Sequence, residues 1–136
     1  MLDYSRQVFS RLTMRLREKF SGIYTSQSDS TAPPKFPAVT FVQKNNAVYK
    51  RTIDCDSYEN HVKVMFQADI YSNEPKEADR IELAENIRNE VSDFMLGLGF
   101  VRTMCEPIPN VMDMSIYRIS MRFEGIIGKD ALVYTD

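Results

Sequence analysis

Tryptophan is absent from this chain, histidine occurs once, cysteine twice and glycine five times. Each scarcity excludes something. A single histidine, His61, cannot build a multi-histidine metal site, and no cysteine or histidine stands near it at ligand spacing. The cysteines, Cys55 and Cys105, lie far apart and neither has a CxxC partner, so they read as two free thiols in a reducing cytoplasm. A thiol nucleophile needs a base. His61 could reach either sulfur in three dimensions, but nothing in the spacing favours it. Cys105 falls on an apolar strand face, where a thiol packs as a small hydrophobe.

The few glycines spell no dinucleotide fingerprint, no P-loop and no nucleophile elbow. Gly97-Leu98-Gly99 closes a helix, whereas a phosphate loop opens one. No apolar run approaches the roughly 18 residues of a membrane span. Asp3, Arg6, Arg11, Arg15 and Arg17 leave the N-terminus no apolar stretch of the kind a secretory signal needs. Nor is there an excess of one charge. The formal net charge of −2 lacks the basic surplus of a general nucleic-acid binder. Tyr49-Lys50-Arg51 and Tyr117-Arg118 are fragments of a strand-stacking pattern only. Asp54, Asp56 and Glu59 fall in a polar stretch without EF-hand spacing, the usual habit of solvated acids. These absences lead to the expectation of a non-enzymatic protein with no catalytic residues, no cofactor and no metal.

What is present is ordinary globular material: 136 residues, 43% hydrophobic and 26% charged. That is one domain, able to bury a core without staples. Eight methionines suggest adaptable packing surfaces. Residues 2–20 predict an amphipathic helix, with Val8, Leu12, Leu16 and Phe20 recurring four apart and Ser21-Gly22 as its stop. Its other face carries Arg6, Arg11, Arg15, Arg17, Glu18 and Lys19. A solvated face is the ordinary reading of those arginines; a surface meeting an acidic partner is the sharper one. Residues 24–36, with Pro33 and Pro34, predict a linker. Residues 37–42 predict a short strand, with Val39 and Phe41 on one face. Residues 43–60 predict a polar arm or hairpin.

The clearest strand covers residues 61–71. Val62, Val64, Phe66, Ala68 and Ile70 point one way; Lys63, Met65, Gln67, Asp69 and Tyr71 point the other. A helix follows to about Leu98, capped by Ser72 or Asn73 and striped with Ile81, Ala84, Ile87, Val91, Phe94 and Met95. Residues 100–105 predict a strand with Val101, Thr103 and Cys105 on one side. The last long strand, 114–124, sets Tyr117, Ile119, Met121 and Phe123 against Arg118, Ser120, Arg122 and Glu124. Residues 125–136 form a C-terminal tail. The expected fold class is α/β (α+β), a single domain over 1–136. Two helices pack on one face of a mostly antiparallel sheet of about four strands, and a polar arm extends from it. The uncovered face, the arm and the tail are left for partners.

One stretch is more specific than the rest. An alternating strand, Val64 to Tyr71, leads through Ser72-Asn73 and an acidic helix start to Glu85-Asn86-Ile87 and Phe94-Met95. Leu98-Gly99-Phe100 and then Ile116-Tyr117-Arg118-Ile119-Ser120-Met121-Arg122-Phe123-Glu124 complete it. This pattern, over about residues 61–127, resembles the tail terminator (tail-to-head joining, or tail completion) proteins of long-tailed bacteriophages. The resemblance implies a virion protein, assembled in the bacterial cytoplasm. It would form a ring, commonly a hexamer, that caps the head-proximal end of the tail tube, stops its growth and meets the head connector, with DNA passing through the lumen unread. The uncovered face and the arm are the expected contacts to other copies, tube or connector, through Asn45, Tyr49, Lys50, Arg51, Asp54, Lys63, Gln67, Tyr71, Arg118 and Arg122; no membrane partner is expected. A neck, head-closure or tail-tube subunit, or a small protein-binding module, is the alternative.

Overall fold

Long strands need a sheet to close their hydrogen bonds, and the amphipathic helices need an apolar surface to cover. A computed structural model of the chain, describing residues 5–27, 33–48, 61–108, 115–128 and 133–134, meets both needs with two layers. Its elements in order are α1 (Ser5–Lys19), β1 (Tyr24–Ser26), β2 (Ala38–Val48), β3 (His61–Ser72), α2 (Glu77–Gly97), β4 (Val101–Ile108), β5 (Tyr117–Gly128) and β6 (Val133–Tyr134). The sheet runs β1-β2-β3-β5-β4, and β6 pairs with β5. All pairings are antiparallel except β1 with β2. This is the expected α+β class, with one strand more on the main path and one parallel pair.

Both helices lie on the face predicted for them. Val8, Leu12 and Leu16 of α1 and Ala84, Ile87, Val91, Phe94 and Met95 of α2 join Val39, Phe41, Val64, Phe66, Ala68, Ile70, Ile119, Met121 and Phe123 in one core. Aromatic rings thread it. Phe66 stacks on Phe41 with centroids 4.9 Å apart and meets Phe100 edge-on at 5.4 Å; Phe41 in turn lies 6.5 Å from Phe9. Such pairs add about 0.5–1.5 kcal/mol each beyond the area they bury.

Several expectations need correction. Residues 24–36 are not all linker: Tyr24–Ser26 pairs in parallel with Ala38, Val39 and Thr40, because Ile23, buried just before it, ties the chain to the core. Residues 43–48 take the hairpin alternative: they extend β2 against β3 past a bulge between Gln43 and Asn45. The rest of the expected arm, with Tyr49, Lys50, Arg51, Asp54 and Cys55, lies outside the described residues. Neither Ser72 nor Asn73 caps α2. Lys76 holds the N-cap position without a side-chain bond, and Ser72 is the buried last residue of β3. The turn is instead held by Arg80, whose Nε donates to the Glu74 carbonyl at 2.9 Å and whose Nη2 donates to that of Pro75 at 3.3 Å. Of the expected tail, residues up to Gly128 continue β5, and Val133–Tyr134 add β6.

Strand β4 departs from its predicted pattern too. A register shift between Arg102 and Met104 breaks the alternation, so Arg102 and Cys105 pair with the core-side residues Phe123 and Met121. Cys105 is exposed, not packed, on β4 at the sheet edge.

Candidate interaction surface

The face of the sheet opposite the helices is built by register. Tyr71 of β3 stands between Ala38 and Arg118, Asp69 between Thr40 and Ser120, and Gln67 between Val42 and Arg122. Period-two alternation sends all of these away from α1 and α2.

Their polar groups form a ladder. Arg122 Nε donates to Gln67 Oε1 at 3.2 Å, and Gln67 Nε2 donates to Asp69 Oδ2 at 3.1 Å. Arg118 Nη2 donates to the same Oδ2 at 3.2 Å. The Arg118 guanidinium lies 5.4 Å from the Tyr71 ring centre, a cation–π distance. Asp69 is thus an acceptor for two neighbours, and it is only 1% exposed. A buried carboxylate without such partners would be strongly disfavoured. Among the described residues four buried polar atoms have no hydrogen-bond partner: the Thr40 hydroxyl, Gln43 Oε1, the Ser72 hydroxyl on the core side, and Arg118 Nε.

The face grades along β3. It is closed at the Tyr71 end and opens toward Gln67, Met65 and Lys63, of which Lys63 is exposed along with Arg122 of β5. Of the residues expected to meet partners, Gln67, Tyr71, Arg118 and Arg122 come together in this ladder. Tyr71 is buried, however, with the Arg118 guanidinium over its ring; it is a support, not a contact surface. Lys63 lies further along the same face. Asn45 pairs with Met65 just past the bulge. Tyr49, Lys50, Arg51 and Asp54 lie outside the described residues. Asp69 was passed over in the sequence, where it reads as one more solvated acid; its signal is the arginine one register step away.

A second charged cluster joins the helices. Glu90 of α2 accepts from Lys19 Nζ at 2.7 Å and from Arg15 Nε at 3.1 Å. The Lys19 hydrogen bond, helped by Arg15, outweighs burial and holds the Glu90 carboxyl below the ordinary glutamate range. Among the described residues no group of histidine, cysteine or acidic side chains is placed to hold a metal, and no helix is long and apolar enough to cross a membrane.

The fold and this surface define an α+β sheet protein with one helix-covered face and one polar face, closed around Tyr71 and Asp69 and open toward Lys63. No protein-family model matches the chain, and no curated protein matches it in sequence.

Proposed function

We propose that the protein is a structural subunit that closes a homomeric ring, commonly six copies, on the head-proximal end of a phage tail tube. There it stops tube growth and joins tail to head connector. The observation that carries this reading is the polar sheet face, where exposed Lys63 and Arg122 stand beside the ordered Arg122–Gln67–Asp69–Arg118 ladder. A surface ordered before contact loses little side-chain entropy on docking, which suits a rigid protein neighbour. A ring needs heterologous contacts that close, and a terminator needs one ring face that accepts the tube and another that refuses a further ring. The resemblance over residues 61–127 supplies the tail-terminator identity. DNA in this reading crosses the lumen without being read.

Light scattering tests the assembly, with a mass of about six subunits expected. Electron microscopy of growing tail tubes with the protein added tests the role, with tubes halted and capped. A monomer at every concentration that leaves tube growth unchanged would end the proposal. A peptide-binding module is the second reading, favoured by edge strand β4, most of whose side chains are exposed on both faces. Such an edge can accept an added strand. Binding of extended peptides by a monomer would select it.

A further inference from the structure

The two helices carry opposite charge. Five bases (Arg6, Arg11, Arg15, Arg17, Lys19) against Glu18 leave α1 at +4. Six acids (Glu77, Asp79, Glu82, Glu85, Glu90, Asp93) against Arg80 and Arg88 leave α2 at −4. Part of this charge is used inside the subunit, where Arg15 and Lys19 meet Glu90 and Arg88 meets Glu85. Arg6 and Arg17, and likewise Glu82 and Asp93, are exposed and have no ion-pair partner among the described residues.

These free charges point in different directions from the two helices. Thr13 of α1 donates to the Thr25 hydroxyl of β1, so that side of α1 looks to the β1 edge. At 100° per residue, Arg6 and Arg17 lie within about 40° of Thr13. Ser92 of α2 accepts from Arg102 of β4, so that side of α2 looks to the opposite edge. Glu82 and Asp93 lie about 80–100° from Ser92, on the side away from buried Ala84, Ile87 and Val91, so they face outward from the helix layer. The two pairs also match in length. Arg6 to Arg17 and Glu82 to Asp93 each span 11 residues, which is three turns and about 16 Å of helix. Each helix also carries an exposed apolar side chain, Met14 at 66% on α1 and Leu96 at 47% on α2.

We infer that the basic side of α1 in one subunit docks on the acidic outward face of α2 in a second copy, with Arg6 and Arg17 pairing with Glu82 and Asp93. The occupant is another copy of this chain because one molecule carries both complementary stripes at equal spacing, one on the β1 side of α1 and one on the outward face of α2. Such a contact is heterologous and repeats from copy to copy. It rests on the ring reading and names the surfaces that close the ring.

Charge reversal tests it. R6E/R17E and E82R/D93R should each lose the ring by light scattering while keeping the wild-type melting temperature. R6Q/R17Q, which adds no repulsion, should weaken assembly about tenfold. An equimolar mixture of the two reversed variants should regain the ring mass, since every contact between unlike subunits is again opposite in charge. Wild-type assembly should weaken between 0.1 M and 1 M salt, where the screening length falls from about 10 Å to about 3 Å. Reversed variants that keep the ring, or a mixture that does not restore it, would overturn the helix contact and leave the ring reading standing. A wild-type protein that never assembles would overturn both.

Discussion

Single side chains decide what this sheet tolerates. Phe66 is wholly buried between Phe41 and Phe100. Phe66→Ala should cost about 3–5 kcal/mol in urea denaturation, because it removes two ring contacts and leaves a cavity. Asp69 is held differently. Asp69→Asn removes the charge that Arg118 neutralises and should cost about 2 kcal/mol or more, whereas Asp69→Leu with Arg118→Met together should cost less than Asp69→Asn alone. A double-mutant cycle measures the difference. Glu90 makes a pH prediction. Its folded-state carboxyl titrates below its unfolded value, so the stability it contributes is present above the ordinary glutamate range and is lost as pH falls through the lowered value. Glu90→Gln should therefore flatten the acid limb of the stability profile, read from melting temperatures across pH.

At the scale of elements, the end of α2 shows how one residue sets a boundary. Gly99 has φ of 105°, its N–H donates to the Leu96 carbonyl, and the Phe100 N–H donates to that of Met95. This is a Schellman cap, with Phe100 and Met95 both buried beneath it. Gly97 sits two residues earlier inside the helix, with nothing within 4 Å of a Cβ placed there. Gly99→Ala should destabilise by about 1–2 kcal/mol, and Gly97→Ala should be neutral or stabilising by up to about 1 kcal/mol. Thermal melts of the two variants separate them. Both glycines mark a helix end in the sequence, yet only the backbone angle tells which one is obligatory. The start of α2 is the reverse case. Ser72 and Asn73 are good capping residues by type, but β3 runs on through Ser72 and moves the helix start to Glu77.

For the whole molecule, the helix-covered face was legible before any coordinates. The alternation in residues 61–71 and 114–124 and the four-residue recurrence in α1 and α2 each name a buried side, and those sides meet in one core. The open face was legible as a set of residues, with Gln67, Arg118 and Arg122 correctly grouped. Its internal order was not. Asp69 and Arg118 are 49 residues apart, and only the pairing of β3 with β5 sets them one step from each other. The same limit hid the position of β1, whose three residues carry too short a pattern to read and are recruited by pairing with β2.

Local chemistry determined, from the sequence by itself, which residues form helix and strand and which side of each is apolar, because those properties depend on spacing along the chain. Tertiary structure alone decided the strand order, the bulges at Gln43 and Arg102, the burial of Asp69 and Tyr71, and the exposure of Cys105. Those depend on which distant segments lie side by side, and a pairing between strands is a property of two segments that neither carries alone.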